Sequence, residues 1–161
     1  MANKIIGKIS HGLQGELIIP GDKSVSHRSV MFAALGDTPV HITNFLPSAD
    51  CLSTAGVMQA LGAQVDFLGP TELIVKGNGL HGLQEPATVL DAGNSGTTLR
   101  LMMGMLAPQK FVSVFTGDSS LHKRPMGRVI KPLSMMGANI VGRAENTRLP
   151  ITIVPTTKAL E

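Results

Sequence analysis

The chain has no tryptophan and no tyrosine, and only five phenylalanines in 161 residues. Its core must therefore be filled by Leu, Ile, Val, Ala and nine methionines, and methionine packs adaptably while specifying shape weakly. One cysteine, Cys51, excludes an internal disulfide and predicts a reducing compartment. Read alone, Cys51 is a small buried apolar side chain or a reactive thiol. No apolar run approaches the roughly 20 residues that a membrane helix needs, and no charged start leads into a long apolar stretch. These features predict a soluble, cytoplasmic protein. Charged residues make up 16% against 43% hydrophobic, which argues against disorder. The net charge of +3 is mild and no Lys/Arg block stands out, so nucleic acid is not the expected partner.

Basic residues are instead scattered beside Gly, Ser and Pro, at expected element ends: Lys23, Arg28, Arg100, Lys123, Arg124 and Arg128. Such spacing suits a small anion better than a polyanion. Two of these places are related. The stretch 21-GDKSVSHR-28 aligns with 93-GNSGTTLR-100 at a constant offset of 72 (93 − 21), so Gly21 meets Gly93 and Arg28 meets Arg100. Farther on, 61-LGAQV-65 aligns with 136-MGANI-140 at an offset of 75 (136 − 61). A repeat of that size is a whole supersecondary unit.

Periodicity and turn signals place the elements. Ile5–Ile9 and Glu16–Ile19 read as short strands ended by Pro20-Gly21. Helices are predicted from Ser24 to near Leu35, from Ser48 or Asp50 to Leu61, over Gly96–Leu106 and over Pro125–Met136. The second helix shows Thr54, Val57, Met58 and Leu61 on one face. The last has Pro125 at its first position and Pro132 in its interior, where a lost backbone bond predicts a bend or local adjustment. Strands are predicted at Val40–Asn44, Gln64–Phe67, Glu72–Lys76, Phe111–Thr116, Asn139–Val141 and Pro150–Val154. Each unit thus reads helix, strand, helix, strand, strand, which is an α+β fold. The expected organisation is 1–20 as leading strands, 21–78 as the first unit and 79–161 as the second.

The repeated turn has a chemistry. The first N–H groups of a helix lack internal partners and sit at the positive end of its dipole, so small residues there open an anion site. Arg28 follows Ser24 by four residues, and Arg100 follows Gly96 by four. Each is one helical turn further on and able to fork two hydrogen bonds to a carboxylate or phosphate. Capping without a ligand remains the plainer alternative for either turn. Asp50 stands where the other repeat carries Lys123-Arg124, and it reads as an N-cap or as an acceptor for a hydroxyl. The histidines His27, His81 and His122 show no metal-ligand spacing, so no metal is expected. No Walker-type phosphate loop, dinucleotide fingerprint or serine-nucleophile motif is present.

With Lys23-Ser24, Arg28, 94-NSGTTLR-100 and 124-RPMGR-128 in order, the chain resembles the enolpyruvyl transferase family, from about Ile5 to the end. Within that family it is similar to the branch acting in the shikimate pathway. The resemblance implies two similar domains, each of three βαβαββ units, of which this chain supplies two units. It implies transfer of the enolpyruvyl group of phosphoenolpyruvate to the 5-hydroxyl of shikimate 3-phosphate with release of phosphate, without a cofactor. By the same resemblance Lys23, Ser24 and Arg28 hold shikimate 3-phosphate. Lys23, Asn94, Gly96 and Arg124 line the phosphoenolpyruvate pocket, and Lys23 is the catalytic candidate. Arg100 and Asp50 have supporting places, and Gly96 is where glyphosate packs in sensitive relatives.

The family's further substrate and proton-transfer motifs lie beyond this sequence, and residues 4–20 are expected to pair in another domain. The resemblance therefore implies an N-terminal portion with little turnover alone, partnered by the remaining C-terminal portion or a complementing fragment. A non-catalytic anion-binding module made from half a synthase is the alternative. A UDP-N-acetylglucosamine enolpyruvyl transferase is disfavoured: Ser24 follows Lys23 where that relative has Asn, and residues 117–123 hold no Cys.

Overall fold

A computed structural model describes the chain except residues 1, 2, 4, 6, 9, 10, 13, 158, 159 and 161. Helix α1 (Lys23–Ala34) starts where the Asp22 carboxylate accepts from the Val25 N–H at 2.7 Å. A short strand, β1 (Val40–Ile42), follows, and then helix α2 (Ala49–Ala60), capped by Ser48. Strands β2 (Gln64–Gly69) and β3 (Glu72–Lys76) close the first sheet in the antiparallel order β1-β3-β2. The second sheet begins with β4 (Leu90–Asp91). Helix α3 (Gly96–Leu106), capped by Ser95, leads to β5 (Ser113–Thr116). A one-turn helix, α4 (Ser119–His122), precedes α5 (Gly127–Met135), β6 (Asn139–Gly142) and β7 (Arg148–Val154). The order is β4-β5-β7-β6, parallel between β4 and β5 and antiparallel elsewhere.

The two sheets superpose in topology, since β1, β2 and β3 occupy the places of β5, β6 and β7. The fold is α+β, and the second unit is a complete βαβαββ. Helix α1 packs on α2, α2 on α3 and α3 on α5, with α1, α2 and α5 backed by β3, β2 and β6 respectively. Met58, Leu61, Met102, Met103, Leu106, Phe115 and Met126 are fully buried between these layers. Flexible methionine fills space that aromatics would otherwise occupy.

The first unit lacks a counterpart to β4, although Leu90–Asp91 lies 72 residues after Ile18–Ile19 (90 − 18). In the second unit Ala92 N–H donates to Thr116 O at 3.1 Å and Asp118 N–H to Gly93 O at 2.8 Å, which fastens β4 to β5. The first unit has Pro20 in the place of Ala92, and proline has no N–H. Phe45, in the place of Asp118, gives its N–H to Thr71 O at 2.8 Å instead. Glu16–Ile19 therefore does not pair beside β1 as β4 does beside β5, and, expected to pair in another domain, it forms no strand here and leaves Leu17, Ile18 and Ile19 exposed. The strand expected at Ile5–Ile9 includes residues outside the described set.

A second departure concerns Pro125. The expected helix Pro125–Met136 starts later, at Gly127, because α4 takes residues 119–122 and Met126 becomes the N-cap residue of α5. Its N–H is claimed by Thr147 O at 2.8 Å. Pro132 does lie inside α5, as its sixth residue. The turn between β6 and β7 carries three successive left-handed residues, Ala144 (φ 48°), Glu145 (φ 56°) and Asn146 (φ 60°). It is held by the Asn146 side-chain oxygen, which accepts from Gly142 N–H at 2.9 Å, and by the Thr147 hydroxyl donating to Ala144 O at 2.6 Å.

Candidate functional site: three helix N-termini at one end

Helices α1, α2 and α3 bring their first turns together. Lys23, at the first position of α1, donates to the Asp50 carboxylate in the first turn of α2. The Cys51 thiol points at Lys23 O, 3.6 Å away. Thr98, in the first turn of α3, places its hydroxyl 3.3 Å from Asp50 O. Gly93 passes so near α2 that a side chain there would lie 2.9 Å from the Ser53 hydroxyl. Three positive dipole ends thus share one small region, where unpaired N–H groups favour an anion. Just before α1, Gly21 passes so close to the loop after β1 that a side chain on it would run into the Asn44 carbonyl.

The basic residues divide between two groups. In the first, Lys23 and Ser24 are exposed at the mouth of α1, and Arg28 is exposed one turn on. Lys23 is tied to Asp50, while Arg28 enters no ion pair among the described residues. In the second, Gly96 opens α3 between two guanidinium groups. A methyl at Gly96 would lie 2.5 Å from Arg100 Nη1 and 3.3 Å from Arg124 Nη1. Asn94 is exposed beside them. Arg100 also donates to Pro125 O at 3.5 Å, which ties α3 to the segment that carries Arg124. The structure therefore brings together Lys23 with Asp50, and Gly96 with Arg100 and Arg124, on neighbouring helix ends.

Several supporting residues were not singled out by sequence. Arg148, on β7, donates from Nη1 to Lys123 O at 2.8 Å and so braces the backbone next to Arg124. Asp118 caps α4; the Leu121 N–H and then the Ser120 hydroxyl hold its carboxyl below the ordinary value. Beneath the first turns, His27 and Thr54 touch each other and are sealed from water. Burial pushes the His27 imidazole below its ordinary value, against the pull of Asp50 and with help from Lys23. Burial pushes the Cys51 thiol up, so Cys51 behaves as a packed thiol facing the α1 backbone. Among the described residues no three His, Cys, Asp or Glu side chains gather as metal ligands would, and no helix is long and apolar enough to cross a membrane.

Residues 8–160 match the family described as EPSP synthase (3-phosphoshikimate 1-carboxyvinyltransferase). A 3-phosphoshikimate 1-carboxyvinyltransferase of Chloroflexus aurantiacus is 56% identical over 141 residues, covering 88% of this chain and 32% of the relative. The protein of the same name from Bacillus thuringiensis is 53% identical over 153 residues, covering 95% and 35%. Among solved structures, EPSP synthase from Acinetobacter baumannii superposes with a TM-score of 0.86 at 46% identity, over 90% of this chain and 33% of that one. The chain thus spans about a third of the length of these relatives.

Proposed function

The chain belongs to the EPSP synthase family, and from that premise we propose that its converging helix ends hold shikimate 3-phosphate and phosphoenolpyruvate for enolpyruvyl transfer. The observation that carries the reading is the meeting of three helix N-termini with Lys23 on one side and the Arg100–Arg124 pair on the other.

Lys23, Ser24 and Arg28 receive the phosphate of shikimate 3-phosphate, using α1's free N–H groups and the open Arg28 guanidinium. Asn94, Gly96 and Arg124, with Arg100 behind them, receive the carboxylate and phosphate of phosphoenolpyruvate. Lys23, in the first group, is assigned a contact with each of the two ligands. Asp50 holds the Lys23 ammonium at the mouth of α1. In the transfer the 5-hydroxyl gives up its proton as its oxygen bonds to C2 of phosphoenolpyruvate, a proton is added at C3, and the hydroxyl proton leaves finally with the released phosphate. Phosphate then leaves C2 as a proton leaves the new methyl group, which restores the double bond. This chain's part is to bring two polyanions side by side and to stabilise their charge.

Residues 1–20, with unpaired Leu17–Ile19, serve a second domain, and the units 21–78 and 79–161 form most of one domain. The groups that move the protons are not assigned to this chain, and turnover by these 161 residues alone is expected to be negligible. Titration of the 15N-labelled chain with shikimate 3-phosphate tests the reading. Saturable shifts centred on Lys23, Ser24 and Arg28 are expected; a spectrum that stays unchanged to millimolar ligand defeats it. Robust phosphate release by the chain alone would defeat the expectation of negligible turnover.

A further inference from the structure

Polar side chains sealed from water are stable when they hydrogen-bond to one another. One layer below the first turns, His27 is 1% exposed, and Thr54, Ser95 and Thr98 are each 0% exposed. They form a continuous row across three helices. His27 Nδ1 lies 2.6 Å from the Thr54 hydroxyl, which lies 2.7 Å from that of Thr98, which lies 2.7 Å from that of Ser95. Ser95 is the N-cap of α3 and also accepts from Thr98 N–H at 3.1 Å. The row begins on the helix that carries Lys23 and Arg28. It ends inside the Asn94–Gly96 turn.

Each hydroxyl has one proton to give, and Thr98 directs its proton to Ser95 at 2.7 Å, with Asp50 O at 3.3 Å the weaker acceptor. With Ser95 as the receiving end, Thr98 donates to Ser95, Thr54 donates to Thr98, and His27 supplies an Nδ1–H to Thr54. A neutral ring then carries a bare Nε2, and Nε2 is the buried atom of this row without a partner. The repeat does not reproduce the row: Leu99 stands 72 residues after His27 (99 − 27). The row is therefore a property of the junction between the units and not of the unit itself.

We propose that His27 and Thr54 are positioning residues, whose hydrogen-bonded row fixes the Asn94–Gly96 turn against the Lys23–Arg28 turn so that the two anion sites move as one body. The inference rests on the reading of both turns as ligand-holding, but it has its own readouts. A buried row of this kind polarises along its length and resists partial disruption. An anion drawn onto α1 would thereby be felt at Ser95 without touching it.

The test uses Thr54→Val, which keeps the shape and removes the hydroxyl, and Thr54→Ser, which keeps the hydroxyl. Thr54→Ala replaces the valine variant should that variant not fold. In the unaltered chain, shikimate 3-phosphate is expected to shift the amides of Ser95, Gly96 and Thr98 with the same midpoint as those of Lys23–Arg28. Thr54→Val should keep the first-turn shifts and lose the second-turn shifts, and Thr54→Ser should restore them. Second-turn shifts that persist in Thr54→Val would mean direct contact, and overturn the proposal.

If the ligand shifts nothing even in the unaltered chain, the ligand-binding reading fails. Hydrogen exchange of the free protein then decides the positioning role. Amides of Ser95–Thr98 exchanging about tenfold faster or more in Thr54→Val, with those beyond Val57 on α2 unchanged, support it. Unchanged exchange at Ser95–Thr98 overturns it. The ring nitrogens of His27 give an independent reading: an Nδ1–H tautomer is expected, and an Nε2–H tautomer contradicts the stated donor order.

Discussion

Lys23 and Asp50 pair across the first turns of two helices, 27 residues apart in sequence. The Lys23 side chain is 48% exposed and that of Asp50 16%, so the pair sits at the rim of the site and not in its core. Exposed pairs of this kind contribute about 0–1 kcal/mol to stability. A charge-assisted hydrogen bond to a bound phosphate is worth about 1.5–3 kcal/mol. Lys23→Met should therefore weaken shikimate 3-phosphate binding about 10- to 100-fold and change the unfolding free energy by less than about 1 kcal/mol. Calorimetric titration and denaturant unfolding measure the two separately. A large loss of stability with unchanged affinity would make Lys23 a structural residue.

Gly96 offers a steric test of the second turn. A methyl there would press on Arg100 Nη1 at 2.5 Å and crowd Arg124 Nη1 at 3.3 Å. Both are ends of flexible side chains, so the helix survives and the guanidinium groups move. Alanine also suits a helix better than glycine. Gly96→Ala should leave the melting temperature equal or higher and weaken phosphoenolpyruvate binding by about tenfold, since each lost charged hydrogen bond is worth about 1.5 kcal/mol or more. A melting temperature several degrees lower would show that the glycine serves backbone packing instead.

The buried imidazole predicts a pH window. His27 titrates below its ordinary 6.5 in the folded chain, mainly because it is buried. Between the depressed folded value and 6.5 the unfolded chain binds a proton that the folded chain refuses, so stability rises with pH there. The stability is fully present above 6.5 and declines as pH falls below it. His27→Asn should flatten that part of a denaturant-midpoint profile. Asp118, whose carboxyl is held low by Leu121 N–H, acts in a separate window below its ordinary 3.8. An unchanged slope just below 6.5 in His27→Asn would exclude the imidazole as the cause.

The β6–β7 turn predicts a stabilising glycine. Ala144 sits at φ 48° and ψ 64°, a left-handed conformation that costs a non-glycine residue about 1–2 kcal/mol. Glycine returns part of that through a freer unfolded chain. Ala144→Gly should raise the unfolding free energy by about 0.5–1 kcal/mol, measured in urea. A decrease would mean that the methyl is held by packing that outweighs its backbone cost.

The long elements were legible in the sequence for local reasons. Ser48 caps α2, one of the two caps expected there, whereas α1 starts one residue before the expected Ser24 with Asp22 as its cap, and Ser95 caps α3 without having been singled out. The matched turns were legible because the same short run occurs twice. Elements whose form depends on distant partners were not. Strand β4 has two residues, too few for any alternation, and it exists because Ala92 and Asp118 reach across to Thr116 and Gly93. Glu16–Ile19, expected to pair in another domain, forms no strand beside β1, where Pro20 cannot make the bond that Ala92 makes. The late start of α5 reflects Thr147, more than twenty residues away from Met126 in sequence.

In the site, the pairing of Lys23 with Asp50 and the nearness of Arg124 to Gly96 needed the fold, because the residues come from separate segments of the chain. Thr54 was read as one more position on the apolar face of α2. A threonine there, matched by Thr98 on the next helix, was the available hint of a buried polar row. Arg148 left no local signal at all, since its role is to hold a backbone carbonyl 25 residues earlier.

Each sheet takes its strands from one contiguous stretch of chain. Among the described residues the first runs between Val40 and Lys76, the second between Leu90 and Val154, and no ladder crosses from one to the other. Strand pairing therefore never waits for the other half of the molecule to arrive. Loop closure for either sheet is confined to its own segment, which keeps the entropy of the search low and favours early, independent formation of each sheet. A ribosome releasing this chain would deliver the strands of the first sheet before the second has begun to emerge. What remains for the late stage is the docking of helices, the step at which the three N-termini first meet.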